Sequence, residues 1–158
     1  VDEEWHQAVA VDNPLDRVTP AQRMVIEQKG KLIEQKLETI KSSYKSMGEI
    51  MAATPNMLSI PSSFESAFKN IIKLNNELDK LVEDFINVIS KQGLPANVKT
   101  NVYKGVIDDL FKPQNQAFNM FYKNFGSLSP NALKCQKQVN KLTEKYMNKM
   151  NKAMLNIK

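Results

Sequence analysis

The sequence predicts an all-α protein, an antiparallel bundle of four to five helices in which two long N-terminal helices form a hairpin. Three observations support this fold class. Apolar residues recur at alternating steps of three and four along most of the chain, the pattern of helices that pack on one side. The prolines fall outside these segments or at their first helical position, and Gly93 and Gly126 directly follow a segment end. No segment shows the alternation of a half-buried strand.

Length and charge divide the chain into an arm and one domain. A chain of 158 residues is long enough for a single domain with its own core. Residues 1–18 lack periodicity and are acidic, with Asp2, Glu3, Glu4, Asp12 and Asp16 against Arg17. We therefore expect a flexible acidic arm over residues 1–18 and a single helical-bundle domain over residues 19–158.

The first helix is predicted to begin after Thr19 and to end near Ala53. Thr19 at the cap, Pro20 in the first helical position and Gln22 three residues past the cap form a capping box. The helix has one narrow apolar row, which is typical of packing in a bundle: Ile26, Ile33, Leu37, Ile40, Tyr44, Met47 and Met51. Its hairpin with the second helix could project from the rest of the domain.

The second helix, residues 62–92, has the widest apolar surface and is expected at the centre of the bundle. Its main row is Phe64, Phe68, Ile71, Asn75, Leu78, Val82, Phe85 and Ile89. Asn75, the polar residue in this row, either sets the register against a partner helix or faces a small hydrated gap. Gly93 then provides a left-handed cap residue, and Pro95 a stop.

Two shorter helices are predicted next. Residues 96–111 form the first, which Pro113 either ends or kinks. In the second, Phe118, Phe121, Tyr122 and Phe125 lie at i, i+3, i+4 and i+7, on one face. These aromatic residues, with Met147, Met150 and Met154 on the last helix, either line a pocket for an apolar ligand or simply fill the core.

The last helix, from Pro130, has a basic face. Residues 134–158 hold seven lysines against one glutamate, in a chain of net charge +5. Six of the lysines fall within about 60° either side of one line along the helix: Lys134, Lys137, Lys141, Lys145, Lys149 and Lys152. The opposite face is apolar. The lysine row is either a solvated face, a contact for anionic lipid headgroups or an acidic partner, or a surface on which the acidic arm lies.

Several functions are not expected. Two arginines against twenty lysines give little of the bidentate recognition on which specific nucleic-acid binding depends. The chain has one cysteine, Cys135, and one histidine, His6, which lie far apart in the sequence. We therefore expect neither a Cys–His catalytic pair nor a zinc site built from such residues. We predict no catalytic residues, no metal and no cofactor, and hence no enzyme. No apolar run is long enough for a transmembrane helix.

The stretches ELDKLVEDFINVISKQGL (77–94) and GSLSPNALKCQKQVNKL (126–142) resemble the secreted all-helical SXP-type antigens of nematodes, in which a helix pair leads to an LSP-like helix start. The resemblance spans residues 64–142 and implies a secreted, non-enzymatic protein. The start at Val1 rather than methionine agrees with a processed extracellular chain, with the cytoplasm as the alternative.

The function predicted from the sequence is binding. The leading hypothesis is a carrier that holds a fatty acid or another lipid between its Phe- and Met-lined helices, with the lysine row contacting anionic headgroups or a membrane surface. The alternative is a protein-interaction module that acts through its long helical hairpin or its basic C-terminal helix face.

Overall fold

A computed structural model describes residues 18–53, 62–125 and 130–157, with side chains described for 18–50, 65–123 and 132–157. The helices are α1 (Pro20–Ala53), α2 (Ser62–Lys91), α3 (Ala96–Gly105), a π-helical turn (Val106–Phe111), α4 (Lys112–Phe125) and α5 (Pro130–Leu155). No strand occurs in these ranges, so the all-α prediction is confirmed. The predicted arm, apart from Val18, and the side chains of Met51, Phe64 and Phe125 lie outside the described residues.

The predicted helix boundaries at both ends of the hairpin are confirmed. The Thr19 N–H donates to Gln22 Oε1 at 3.0 Å, and the Gln22 N–H donates to Thr19 Oγ1 at 3.1 Å, which completes the capping box. After α2, Gly93 has φ of 63°, a left-handed conformation that glycine adopts without steric cost. Leu94 is buried beneath this cap.

The two shorter predicted helices are continuous. Residues 96–125 stay helical through the π-helical turn, where the Lys112 N–H donates to the carbonyl of Ile107, five residues earlier. Pro113 has no N–H and would interrupt a regular α-helix at this point. The wider turn directly before it absorbs the disruption, so Pro113 neither ends nor separates the helical segment.

The helices form four rods, with α3, the π-helical turn and α4 as one of them. Rods that follow one another in the chain are antiparallel: Lys36 Nζ lies 2.7 Å from Glu77 Oε2, and Lys29 Nζ lies 2.8 Å from Asp84 Oδ2, so α1 and α2 form the predicted hairpin. The hairpin does not project, because Tyr44 of α1 packs against α4. α2 and α5 lie side by side and run parallel.

The predicted apolar rows of α1 and α2 form the core. All the described members of both rows are buried: Ile26, Ile33, Leu37, Ile40, Tyr44, Met47, Phe68, Ile71, Asn75, Leu78, Val82, Phe85 and Ile89. Asn75 is fully buried, but its amide donates to the Ile71 carbonyl of its own helix at 2.9 Å. Its Oδ1 has no hydrogen-bond partner among the described residues. The structure therefore gives Asn75 no register-setting hydrogen bond to another described helix.

Candidate functional site

Helix α5 has the two faces that its sequence predicts. Its apolar face packs in the core, with Cys135, Val139, Tyr146 and Met150 buried. All the predicted lysines are exposed except Lys149, which is half-buried. The row nevertheless divides into two parts, because its lysines meet different residues of α2. We call residues 130–142 the first half of α5 and residues 143–155 the second half.

In the second half, two lysines are held by one buried carboxylate. Lys149 Nζ lies 3.1 Å from Asp79 Oδ1 and 3.2 Å from Oδ2, and Lys145 Nζ lies 3.3 Å from Oδ2. The Asp79 side chain is 9% exposed. Lys149 also lies 3.7 Å from Glu83. The charged residues around Asp79 in the sequence are typical of an outer helix face, but the structure encloses the carboxylate between α2 and α5.

In the first half, the lysines remain open to solvent. Lys134, Lys137 and Lys141 are exposed, and none of them forms an ion pair with any residue that the structure describes. Lys152, at the far end of the row, is also exposed. Of the six lysines, the three in the first half and Lys152 are therefore the ones free of ion pairs to any described residue and able to contact an anionic group.

The predicted aromatic and methionine set is packed against the core. Phe118, Tyr122 and Met150 are buried, and Phe121, Met147 and Met154 are partly buried against them. The Tyr44 ring stacks on Phe118 with centroids 4.4 Å apart and meets Phe121 edge-on at 5.0 Å. None of these residues lines any of the four cavities described below. Their contacts are those of core packing, and their role in a ligand pocket stays a prediction.

A buried chain of polar groups lies beside the first half of α5. The hydroxyls of Tyr44 and Tyr122 are hydrogen-bonded at 2.5 Å, and the Tyr122 hydroxyl is 3.2 Å from Cys135 Sγ. The thiol in turn donates to the Phe68 carbonyl at 3.8 Å. Burial raises the pKa of both tyrosines and of the Cys135 thiol. The thiol is thus kept in its neutral form, which does not favour a nucleophilic role.

A groove opens to solvent directly above this chain, between the first half of α5 and the start of α2. It has a volume of about 300 Å³, and we call it the α2/α5 groove. Its apolar surface comes from Phe68, Ile72 and Cys135, and its polar residues are Glu65, Lys69, Lys134 and Gln138. This volume is at the lower end of the range for small-molecule sites, and its lining combines an apolar surface with polar groups that could orient a ligand.

The groove is not predictable from the sequence, although Lys134 and Cys135 stand out in it. The groove depends on the parallel contact of α2 with α5, two helices that are far apart in the chain. Periodicity predicts which side of each helix is buried, but not which helices lie next to each other. A detectable signal was the second apolar flank of α2, to which Ile72 belongs.

Three further cavities occur in the described part of the molecule. One, of about 290 Å³, lies between α1 and the π-helical turn, with Glu38, Asp109 and Gln114 in its wall. Two adjoining ones, of about 440 and 320 Å³, lie near the C-terminal ends of α2 and α5. Within the described residues, no group of three or more His, Cys, Asp or Glu side chains is placed to hold a metal ion. No described helix is long and apolar enough to cross a membrane.

No protein-family model, curated protein or solved structure matches the chain. The resemblance to the SXP-type antigens and the extracellular location therefore stay predictions.

Proposed function

We propose that the protein is a non-enzymatic binding protein for an amphipathic anion of the fatty-acid or lipid class, and that the ligand occupies the α2/α5 groove. The observation that carries this proposal is the juxtaposition of an apolar surface with Lys69 and Lys134 in one groove between two helices. An acyl chain would bury apolar area against Phe68 and Ile72, while its headgroup stays at the lysines.

This proposal keeps the ligand class predicted from the sequence but changes its position. Phe118, Tyr122 and Met150 already pack on other side chains, so a ligand between them would have to separate a close-packed core. A ligand in the α2/α5 groove needs no such separation. The aromatic cluster then supports the groove from beneath, through the hydrogen bond of Tyr122 to Cys135.

The test is titration with a medium-chain fatty acid, with the only cysteine of the chain as the probe. Cys135 is buried at the base of the groove and reacts with a thiol reagent only when this base opens, so a bound acyl chain should slow the reaction further. At about 100 times its Kd, the ligand should also stabilise the fold by about 2.7 kcal/mol. The double variant Lys69→Glu/Lys134→Glu should weaken both effects.

The matched control reverses two exposed lysines outside the groove, Lys104→Glu/Lys123→Glu, and should bind like the parent protein. Equal thiol reactivity with and without fatty acid, together with an unchanged unfolding midpoint, would contradict the proposal.

A second candidate function is docking of an acidic protein partner on the first half of α5. It rests on the exposed Lys137 and Lys141, which form no ion pair within the described part of the chain. Polyglutamate is a suitable probe, and vesicles containing phosphatidylserine test the membrane alternative. Salt-sensitive binding of polyglutamate that is lost in Lys137→Glu/Lys141→Glu supports a protein partner. Binding to vesicles alone would favour a membrane contact instead.

A further inference from the structure

The far end of the bundle carries a second, larger groove that the proposed function does not use. The two adjoining cavities near the C-terminal ends of α2 and α5 share Ile86, Ala153 and Asn156, and we call them together the end groove. Ile86, Ala153 and Ile157 are half-buried apolar residues in its wall. Lys99 and Lys152 stand beside them. Glu83 and Lys149 also line it and lie 3.7 Å apart, so the end groove joins an apolar surface to a net positive charge.

We propose that the N-terminal segment of the same chain, residues 1–11, binds in the end groove, with Trp5 against the apolar wall and its acidic residues against Lys99 and Lys152. The proposal is independent of the ligand suggested for the α2/α5 groove.

The position of α1 brings this segment to the correct end of the molecule. Val18 packs against the core directly before α1 begins, and Gln22 Nε2 donates to the Gln92 carbonyl at the end of α2. The end groove starts at Ile86 and Ser90 of the same helix end. The chain therefore enters α1 at the end of the bundle where the groove lies.

Residues 1–17 are long enough to reach the end groove. Asp84 of α2 faces α1, whereas Ile86 faces the groove, so the chain must cross the end of α2 to reach it. With helix axes 8–10 Å apart, the path is about 20 Å, which about six extended residues span at about 3.3 Å each. Residues 12–17 can make this crossing, and residues 1–11 then remain for the groove.

The charge and composition of residues 1–17 also match those of the end groove. Residues 1–17 contain five acidic residues and one arginine, a net charge of −4 with His6 neutral. Trp5, Val9 and Val11 provide apolar side chains in the part that reaches the groove. An indole ring buries more area than most side chains, so Trp5 is the expected anchor. The other lysines of the α5 row are less suitable, because Lys145 and Lys149 already bind Asp79 and the first half of α5 lies toward the opposite end of the bundle.

Trp5 is the only tryptophan of the chain, so its fluorescence reports this contact directly. In the full chain, Trp5 emission should be blue-shifted and several-fold less sensitive to acrylamide than in a peptide of residues 1–17. Ala153→Phe fills the end groove and should return both quantities toward the peptide values. The matched control, Ala117→Phe in the cavity beside α1, should leave Trp5 unchanged.

Two further variants keep the test decisive. If Ala153→Phe fails to fold, Ser90→Phe blocks the groove from an exposed position. Lys99→Glu/Lys152→Glu should raise acrylamide quenching without loss of helix. Equal quenching of Trp5 in the full chain and the peptide would overturn the proposal. So would a blue shift that grows with protein concentration together with a dimer mass, since the segment would then bind a second copy.

Discussion

The two halves of α5 have the same residue type at the same spacing, yet only one half carries lysines that are engaged within the molecule. In the second half, Lys145 and Lys149 meet Asp79, which is enclosed between α2 and α5. In the first half, the neighbouring position of α2 is Lys69, and Lys134 stays exposed beside it. A row of lysines on one helix therefore divides according to the residues of the helix beside it.

The core is closed to water beside both halves of α5, where Tyr122 is 3% and Tyr146 is 2% exposed. Burial raises the pKa of all four tyrosines of the chain. The pKa of Tyr103 and Tyr146 rises to about 12, and that of Tyr44 and Tyr122 rises as well. Tyr122 lies beside the first half of α5, and Tyr146 belongs to the second.

The largest effect should therefore be a cooperative loss of the whole fold at alkaline pH. Tyrosines in the unfolded chain lose their protons near pH 10. The folded chain retains them, so it binds more protons and its stability is full below pH ~10 and falls as pH rises from there through the raised pKa values. Tyrosinate absorbance should appear together with the loss of far-UV circular dichroism. Tyrosinate that forms well before helix is lost would show that the hydroxyls are accessible.

Asp79→Asn should destabilise the second half of α5 strongly. The change leaves the charges of Lys145 and Lys149 without their buried partner, at an expected cost of about 2 kcal/mol. Urea unfolding measures this difference. The matched control is Asp84→Asn on the same helix, where the carboxylate lies 2.8 Å from Lys29 but is 49% exposed. Such an exposed pair should be worth less than about 1 kcal/mol, and equal losses in the two variants would contradict the comparison.

Tyr122→Phe should destabilise the protein beside the first half of α5. It removes a hydroxyl that is bonded to the hydroxyl of Tyr44 and to Cys135, and it leaves the buried Tyr44 hydroxyl without this partner. The expected cost is about 1–2 kcal/mol. Tyr44→Phe/Tyr122→Phe should cost less than the sum of the two single variants, because both hydroxyls are then absent. Additive losses in thermal unfolding would rule out this coupling.

Gly93→Ala should have the smallest effect, at the end of α2 where the second half of α5 also lies. At φ of 63°, an alanine is strained whatever space surrounds it, at a cost of about 1 kcal/mol. Gly48→Ala is the control, and we expect it to stabilise the protein. A Cβ there meets no atom within 4 Å, and alanine favours the helix interior by about 0.8–1 kcal/mol. A shift of both melting temperatures in the same direction would refute this account.

The sequence was sufficient for the features that depend on local chemistry. The capping box of Thr19 and the left-handed Gly93 follow from residue types at fixed spacing, and the buried rows of α1 and α2 follow from periodicity. The continuity of the third rod was not predictable in this way. A proline such as Pro113 normally interrupts a helix, and the compensating π-helical turn has no simple sequence signal.

Features that depend on contacts between distant segments were not predictable. Asp79 looks like a surface residue in its own helix and is buried only because Lys145 and Lys149 lie opposite. Likewise, Lys69 and Lys134 share a groove only because α2 and α5 run parallel. The spacing of Phe118 and Tyr122 predicted a shared face correctly, but a shared face does not distinguish a packed core from a pocket.

The reactivity of individual lysines tests the difference between the two halves of α5 most directly. Brief treatment of the folded protein with an amine-acylating reagent, followed by peptide mass spectrometry, gives a rate for each lysine. Lys137 and Lys141 should react several-fold faster than Lys149, with Lys145 between them, because its side chain is 58% exposed although it contacts Asp79. Asp79→Asn should raise the acylation rate at Lys149, with or without an increase at Lys145. Equal rates along the whole row in the parent protein would contradict the division of α5 into a bound and a free half.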